Sequence, residues 1–260
     1  MNATGNTILI TGGGSGIGRG LAEAFHKQGN QVIIAGRRQS VLDETTAANP
    51  GMKSLTLDIE DPAAIKAFAA KVVADCPKLN VLINNAGIMK LENLADDSLD
   101  LQAAESMITI NVLGTMRLTA ALLPTLKKQP SATIMTVSSG LAFMPLTLAP
   151  TYCATKAAIH SWSQSLRYQL RGTKIEVLEI APPYVQTELG GPQQAADPRA
   201  MPLADYISET VALIDAPPAS GEILVGNVLP LRWAEKNGNY EQVFENVNGA
   251  FAEALTAHAN

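Results

Sequence analysis

The stretch from Thr7 to Gly18, TILITGGGSGIG, decides the fold. It opens as a short apolar run, passes through a glycine-rich turn and ends where a helical pattern begins. Glycines permit a tight turn and let the backbone approach phosphates, while a helix N-terminus presents free N–H groups and a positive dipole end. This order predicts a pyrophosphate site for a dinucleotide, although the spacing is T-G-x-x-x-G-x-G instead of the commoner G-x-G-x-x-G. The cofactor-binding residues predicted in this turn are Gly12, Gly14, Ser15, Gly16, Ile17 and Gly18.

Short apolar runs alternate with longer helical segments along most of the chain. The predicted strands are Thr7–Thr11, Gln31–Ala35, Lys53–Leu57, Asn80–Asn84, Ala132–Val137, Lys174–Ile180 and Glu222–Val225. The predicted helices are Ile17–Gln28, Gln39–Ala48, Pro62–Asp75, Leu99–Leu126, Tyr152–Arg171 and Leu203–Ile214. Runs that are apolar almost throughout suit strands covered on both faces. We predict an α/β fold, a doubly wound Rossmann-type parallel sheet of about seven strands with helices on both faces.

Two segments fit this alternation poorly. Gly190–Pro202 is rich in Gly, Pro, Gln and Ala and is predicted to be a mobile loop, so a substrate loop is expected near residues 187–203. Residues 227–260 are expected to form a C-terminal tail with one helix, Tyr240–Val247. Because no linker, composition break or internal repeat divides the chain, residues 1–260 are predicted to form a single domain.

The composition favours a soluble protein with small-molecule partners. The chain has 260 residues, of which 47% are hydrophobic and 17% charged, and this balance predicts a large core and a buried subunit contact. A net charge of −5 and a pI near 5.3 argue against a nucleic-acid partner. We expect no signal peptide, no apolar run long enough to span a bilayer and no membrane-binding surface.

Cysteine and histidine usage points to a reducing compartment without a metal. Cys76 and Cys153 lie far apart and lack metal-type spacing, as is usual for reduced cytoplasmic thiols. Neither His26 nor His258 has a ligand-like partner in sequence, and His160 is expected to face away from Tyr152 and to serve packing or lie at the surface. A cytoplasmic location and no metal site are therefore predicted.

The end of the second strand indicates which dinucleotide is bound. A carboxylate about twenty residues beyond the glycines would bind the ribose 2′-hydroxyl of NAD. That position is Gly36, and Arg37 and Arg38 follow it. Guanidinium groups suit the 2′-phosphate of NADP, so the sequence favours NADP(H). The alternative is a pair of solvated arginines, with NAD(H) as the cofactor.

A serine, a tyrosine and a lysine form the candidate catalytic set. Tyr152 and Lys156 are four residues apart near the start of a predicted helix, so their side chains share one face. A nearby ammonium lowers the pKa of a phenol toward the working range, which makes it a usable acid or base. Ser138 and Ser139 end the fifth strand, where a hydroxyl can stabilise a developing alkoxide. Taken singly, these residues also suit a solvated helix face and a polar strand end.

Together with the glycine turn, this ordered set resembles the short-chain dehydrogenase/reductase superfamily, in its compact single-domain branch, from about Thr7 to Val225. The resemblance implies four catalytic residues, Asn111, Ser139, Tyr152 and Lys156, with Asn111 supporting a proton-relay water. It also implies that Asp58 binds adenine and that the N-N-A-G segment beginning at Asn84 lies beside the ribose. The further cofactor-binding residues are Arg37, Arg38, Asp58, Ile59, Asn85, Ala86, Gly87, Tyr152, Lys156, Pro182, Val185 and Thr187.

One departure from the family pattern follows the sixth strand. The usual Pro-Gly is Pro182-Pro183 here, and proline in the second position removes an N–H and fixes φ. Three features resemble a subgroup of bacterial reductases, some of them named for the teichoic-acid D-alanylation operon. They are the Pro-Pro pair, the Met201-Pro202-Leu203 entry to the next helix and the tail around Trp233.

The resemblance implies NADP(H)-dependent hydride transfer between the cofactor and a carbonyl or secondary alcohol, with Tyr152 as acid/base. The apolar Gly140–Pro150 loop and the segment after Thr187 are predicted to form the substrate wall. They suit a hydrophobic ketone, aldehyde or alcohol, unless their side chains simply pack on one another. The alternatives are an NAD(H)-dependent alcohol dehydrogenase, an epimerase or dehydratase, and a non-catalytic dinucleotide-binding regulator, for which Pro183 leaves room. Family habit further implies a homodimer or homotetramer through Leu99–Leu126 and Tyr152–Arg171.

Overall fold

A seven-stranded parallel sheet forms the centre of the fold. The computed structural model describes residue 1, residues 3–94 and residues 100–258, with side chains up to residue 249. The strands are β1 (Thr7–Thr11), β2 (Gln31–Gly36), β3 (Lys53–Thr56), β4 (Val81–Asn84), β5 (Ala132–Val137), β6 (Ile175–Ile180) and β7 (Glu222–Ile223). Their order is β3-β2-β1-β4-β5-β6-β7, with every neighbouring pair parallel. The predicted doubly wound sheet is confirmed, and its order reverses between β1 and β4, where such sheets bind ligands.

Helices cover both faces of this sheet. They are α1 (Gly16–Lys27), α2 (Gln39–Ala48), α3 (Pro62–Asp75), α4 (Gln102–Ile108), α5 (Thr115–Leu126), α6 (Pro150–Leu170), α7 (Pro192–Ala196), α8 (Leu203–Asp215), α9 (Leu229–Asn237) and α10 (Tyr240–His258). One core contains Phe25 of α1 and Tyr206 of α8, and the other contains Phe68 of α3 and Leu122 of α5. Because both faces are covered, all five residues of β1 are buried, which explains its continuous apolar pattern.

The helical stretch between β4 and β5 is not the single α-helix that we predicted. α4 continues into a π-helical segment, Thr109–Gly114, before α5 begins. The stretch starts at Gln102, and the predicted start, Leu99, lies outside the described residues. At Gly114 an added Cβ would lie 2.7 Å from the Ile59 carbonyl oxygen, so the irregular turn is packed against another element. Apolar periodicity does not reveal such a turn, since tertiary contacts hold it.

The same stretch corrects the expectation that no apolar run approaches membrane-spanning length. Residues 102–126 have a mean hydropathy of 1.4 over the best window and are long enough to cross a membrane. Within the fold, however, 44% of that window is buried, and Leu118 and Leu122 pack in one core with α3. Its apolar character therefore belongs to a helix that covers the sheet.

Both segments that fitted the alternation poorly contain helices. The predicted loop Gly190–Pro202 includes α7, and a bridge between Val185 and Met201 closes its base. The tail forms two helices, α9 and α10, where we predicted one, and α10 extends beyond Val247 to His258. Five residues are too few to give a helical period, and the glycine at position 249 interrupts the pattern in α10.

Candidate active site

A cleft of about 340 Å³ opens at the carboxyl ends of β1, β2 and β4. Its lining residues are Thr11, Gly12, Gly14, Ser15, Ala35, Gly36, Arg37, Arg38, Val41, Leu42, Leu57, Ile59, Ala86, Gly87, Ile88 and Ile110. Eight of the predicted cofactor-binding residues are among them: Gly12, Gly14, Ser15, Arg37, Arg38, Ile59, Ala86 and Gly87. The cleft therefore lies at the switch point of the sheet, with the glycine turn forming part of its wall.

The glycine turn packs backbone against backbone. Gly12 has φ +66°, and an added Cβ there would lie 2.8 Å from Asn85 Nδ2. At Gly18 an added Cβ would lie 2.3 Å from the Gly12 carbonyl oxygen. Ser15 is the N-cap of α1, but its hydroxyl makes no capping hydrogen bond. The hydroxyl and the first N–H groups of α1 are therefore available to an anion, as a pyrophosphate site requires.

Asn85 supports this turn and does not line the cleft. Its Nδ2 donates hydrogen bonds to the carbonyl oxygens of Thr11, at 3.0 Å, and Gly12, at 3.3 Å. In return, Thr11 Oγ1 accepts hydrogen bonds from the backbone N–H groups of Asn85 and Ala86, both at 3.0 Å. The ends of β1 and β4 are thereby locked together, and this places Ala86 and Gly87 in the cleft wall.

Gly18→Ala should destabilise the protein and weaken dinucleotide binding. The new methyl group collides with the Gly12 carbonyl, which cannot rotate away as a flexible side chain would, so we expect the free energy of unfolding to fall by about 1–3 kcal/mol. Urea denaturation measures this loss. Gly249→Ala is the matched control, because an added Cβ there meets nothing within 4 Å and the position is helical. Equal stability of both variants would contradict the proposed packing of the turn.

Arg37 and Arg38 follow β2 at the edge of the cleft, and both are exposed. Among the residues that the structure describes, neither guanidinium has a hydrogen bond or ion pair with a side chain. By contrast, Arg19, Arg199 and Arg232 each bind a carboxylate. Two positive charges at the cleft therefore have no counter-ion within the described part of the chain.

Of the two residues predicted on the adenine side, Ile59 and Asp58, one lines the cleft. Ile59 lines the cleft, whereas Asp58 is exposed and its carboxylate accepts a hydrogen bond from the Glu60 N–H at 3.0 Å. The sequence analysis missed Ile88 and Ile110, which also line the cleft. Ile88 directly follows the N-N-A-G segment and could have been found from that position. Ile110 could not, because it lies in the π-helical segment.

The position of Tyr152 depends on the first turn of α6. The helix begins at Pro150, whose fixed φ suits a first helical residue. The next residue, Thr151, donates to the Glu92 carboxylate through its backbone N–H at 2.9 Å and its hydroxyl at 2.8 Å. Tyr152 follows and is only 4% exposed.

Ser139, Tyr152 and Lys156 come together as the sequence predicts. The Tyr152 hydroxyl forms a hydrogen bond with Ser139, which is itself buried. Lys156 Nζ lies 5.5 Å from the centroid of the Tyr152 ring and donates a 2.9 Å hydrogen bond to the Val137 carbonyl. The three side chains thus meet at the carboxyl end of β5.

The pKa values in this set differ from our expectation. Burial raises the pKa of the Tyr152 hydroxyl above its ordinary value, although the hydrogen bond with Ser139 opposes that shift. The Lys156 ammonium donates its hydrogen bond to the Val137 carbonyl and not to the Tyr152 hydroxyl. Burial also lowers the pKa of Lys156 to about 8, while the Glu179 carboxylate acts in the opposite direction. Tyr152 therefore stays protonated at neutral pH, and Lys156 titrates close to that range.

Asn111 connects the π-helical segment to the strand end at β4. Its Oδ1 accepts a hydrogen bond from the Ile88 N–H, and its Nδ2 donates to the Ile88 carbonyl, both at 2.9 Å. Nδ2 also donates to Thr155 Oγ1 on α6 at 3.1 Å. These bonds explain why the helix widens here, since the amide must reach two elements at once. π-helical turns occur often at functional sites.

The segment after β6 is held by a residue that the sequence analysis missed. Gln194, on α7, donates hydrogen bonds from Nε2 to the Val185 carbonyl at 2.8 Å and to Thr187 Oγ1 at 3.2 Å. Thr187 reaches the glycine turn, where its side chain lies 3.5 Å from the position of a Cβ on Gly16. The Pro182 carbonyl accepts a 2.8 Å hydrogen bond from the Gly140 N–H, which ties β6 to the Ser139 turn. No local sequence pattern distinguishes Gln194 from its neighbours.

The side of Tyr152 remote from the glycine turn is apolar. A cluster contains Met107, Leu146, Ala149, Tyr152 and Cys153, with Ile88, Met89, Leu141, Leu148 and Val247 packed against it. Leu141 and Leu146 belong to the predicted substrate wall, and Val247 comes from α10. Asn248 fixes α10 there, because it accepts a 2.7 Å hydrogen bond from the Thr147 N–H and donates a 3.1 Å hydrogen bond to the Pro145 carbonyl. The C-terminal tail thus packs on the Gly140–Pro150 loop, which is part of the predicted substrate wall.

His160 packs inside the fold, which was one of its two expected roles. Its Nδ1 lies 2.8 Å from Glu179 Oε2, and its ring stacks edge-on against Phe143 with centroids 4.7 Å apart. The eight residues from Tyr152 to His160 correspond to a rotation of about 80° around α6, so the two side chains lie on adjacent sides of the helix. Phe143, placed in the predicted substrate wall, contacts this histidine.

Comparison with known proteins gives the family. A family model for the short chain dehydrogenases matches residues 6–198. The chain is a short-chain dehydrogenase/reductase. The uncharacterized oxidoreductase DltE of Bacillus subtilis (strain 168) is 39% identical over 251 residues, 95% of this chain and 98% of that protein. The predicted resemblance to such bacterial reductases is confirmed.

Solved structures of the family share the fold. A short chain dehydrogenase from Burkholderia cenocepacia J2315, in complex with NADP, superposes with a TM-score of 0.79 at 23% identity and covers 95% of this chain and 98% of its own. A 3-ketoacyl-(acyl-carrier-protein) reductase from Brucella melitensis, complexed with NADH, superposes with a TM-score of 0.75 at 27% identity. The match covers 85% of this chain and 96% of that protein. Family membership makes this chain an oxidoreductase, and both of these neighbours hold a nicotinamide dinucleotide.

Proposed function

We propose that the protein is an NADP(H)-dependent carbonyl reductase that interconverts a carbonyl and a secondary alcohol. The observation that supports this proposal most directly is the buried Ser139–Tyr152 pair beside a cleft that suits a dinucleotide. Arg37 and Arg38 at the same cleft support the choice of NADP(H), because a 2′-phosphate can supply the anion that they lack among the described residues.

The residues around the cleft fit such a cofactor. The glycine turn, in which an added Cβ would collide with backbone, would hold the pyrophosphate at the start of α1. Arg37 and Arg38 would bind the 2′-phosphate, and the Thr187 hydroxyl would contact the nicotinamide side. When bound, the nicotinamide supplies the hydride that no side chain of this set can provide.

The catalytic side chains act on the substrate oxygen. Ser139 and Tyr152 donate hydrogen bonds to the carbonyl, and Tyr152 transfers its proton as negative charge develops on that oxygen. Burial favours the protonated phenol, which is the form that reduction requires. Lys156 returns the proton through water supported by Asn111. The apolar cluster from Met107 to Val247 favours a hydrophobic ketone or aldehyde.

Parallel titrations of the protein with NADPH and NADH, followed by cofactor fluorescence, test this function. We expect markedly tighter NADPH binding, and then NADPH consumption with hydrophobic ketones or aldehydes. Equal or tighter NADH binding would reject the NADP(H) preference and direct the substrate screen to alcohol oxidation with NAD. NADPH binding without turnover on any carbonyl would favour a dinucleotide-binding regulator.

The kcat/KM for carbonyl reduction should fall as the pH rises, with a midpoint near pH 8. Lys156 carries its proton below its pKa of about 8 and loses it above, so the proton supply to Tyr152 weakens as pH rises through that value. The pH dependence of kcat/KM with NADPH measures the midpoint. A profile that stays flat up to pH 10 would show that Lys156 does not supply the proton.

We also propose a cytoplasmic homodimer or homotetramer. Large apolar side chains reach the surface around α4 and the π-helical segment. They are Leu101, Ile108 and Leu113, which are 54%, 45% and 38% exposed. Both cysteines are free thiols, as suits a reducing compartment. Light scattering of the purified protein measures the oligomer, and a monomer at micromolar concentration would reject it.

A further inference from the structure

A buried carboxylate lies behind the catalytic set, on the strand next to β5. Glu179 of β6 is fully buried. Its Oε1 accepts a 2.5 Å hydrogen bond from the hydroxyl of Ser138, the neighbour of Ser139. Its Oε2 lies 2.8 Å from His160 Nδ1, four residues along α6 from Lys156. Glu179 therefore links the serine strand end to the helix that carries Tyr152 and Lys156.

A second carboxylate completes the surroundings of Glu179. Glu222 of β7 binds Arg232 of α9 through two hydrogen bonds of 2.8 and 3.0 Å. The charged or titratable groups around the two carboxylates are Lys156, His160 and Arg167 from α6 and Arg232 from α9. The potential ligand atoms of His160, Glu179 and Glu222 lie within 4.8 Å of one another. Because protein groups already occupy both carboxylates, this is an ion-pair cluster and not a cation site.

Lys156 lies next to this cluster, because its ammonium bonds to the Val137 carbonyl while Glu179 accepts a hydrogen bond from the hydroxyl of the following residue, Ser138. Lys156 is only 6% exposed, and its ammonium donates a hydrogen bond to a neutral acceptor, the Val137 carbonyl. Burial favours its neutral form, and the Glu179 carboxylate is the group that opposes burial. We propose that Glu179 is a positioning residue of the active site, whose negative charge keeps buried Lys156 protonated beside Tyr152 while its oxygens hold Ser138 and His160.

This role rests on the proposed function, but its test does not require turnover. Carbon-13 NMR of protein with labelled lysine follows the titration of Lys156, assigned by the loss of one signal in Lys156→Met. The wild-type midpoint is expected near pH 8. In Glu179→Gln, which keeps an acceptor for Ser138 but removes the charge, we expect the midpoint to fall by about one pH unit or more. The alkaline limb of kcat/KM should move by the same amount.

Glu222→Gln is the matched control. It makes the same change in the neighbouring carboxylate, whose hydrogen bonds go to Arg232, so the Lys156 midpoint should stay where it is in the wild type. Glu179→Met removes the charge at similar volume and serves if Glu179→Gln does not fold. An unchanged midpoint in either folded Glu179 variant, an equal shift in Glu222→Gln, or failure of both Glu179 variants to fold would overturn the proposal. A shifted midpoint without NADPH turnover would reject the carbonyl reductase function alone.

Discussion

Tyr152→Phe should reduce NADPH-dependent carbonyl reduction by about 10³-fold, because a positioned proton donor contributes 10²–10⁴-fold to such a step. The phenyl ring keeps the apolar contacts of Tyr152 with Met107 and Leu146, and only the hydroxyl bonded to Ser139 is lost. Since the change leaves the glycine turn and both arginines intact, NADPH affinity should remain that of the wild type. Steady-state turnover and a fluorescence titration measure the two quantities.

Tyr168→Phe provides the control for this variant. Tyr168 lies on the same helix, is 61% exposed and stacks with Arg171, so its hydroxyl is remote from the buried catalytic set. Its loss should leave kcat and KM unchanged. If Tyr152→Phe retained wild-type turnover, Tyr152 would not be the acid. If it lost cofactor affinity together with turnover, the hydroxyl would serve binding and not proton transfer.

Replacing both Arg37 and Arg38 with glutamine should weaken NADPH binding by at least about 100-fold, because each charge-assisted hydrogen bond to a phosphate contributes about 1.5–3 kcal/mol and two of them are lost. NADH lacks the 2′-phosphate, so its affinity should stay the same. The ratio of the two dissociation constants, measured at one fixed salt concentration, reports the effect. Raising the ionic strength should weaken NADPH binding to the wild type more than to the variant.

Arg171→Gln is the control for charge. Arg171 is an exposed arginine that stacks on Tyr168 away from the cleft, and its removal lowers the net charge of the protein by one without changing the cleft wall. NADPH affinity should not change. Equal losses of NADPH and NADH affinity in the double variant would mean that the arginines shape the cleft instead of recognising the 2′-phosphate.

Patterns within one element were predicted well. β1 and β5 have the predicted bounds because burial on both faces requires an apolar residue at nearly every position. Tyr152 and Lys156 lie close together because four residues span about one helical turn. The glycine turn followed from the steric need for a close backbone approach. The family resemblance selected Ser139 over Ser138 and added Asn111, which no single-element pattern would have selected.

The misses involve contacts between elements. The bonds of Asn111 to Ile88 and Thr155 accompany the π-helical turn, and Gln194 reaches back nine residues to Val185. Asn85, predicted as a cofactor contact, also supports the glycine turn from the end of β4, which its sequence position did not indicate. In each case, the partner lies outside the residue's own element, so its position depends on how strands and helices pack.

Local sequence patterns alone predicted the doubly wound sheet, the glycine turn and the tyrosine–lysine pair. Each of these depends on the spacing of residues within one strand, turn or helix. The tertiary structure decided the electrostatics of the site. Burial raises the pKa of Tyr152, and Glu179, brought from β6 to Ser138 and His160, acts on Lys156. Burial and charge proximity depend on elements far apart in sequence, so no spacing rule encodes them.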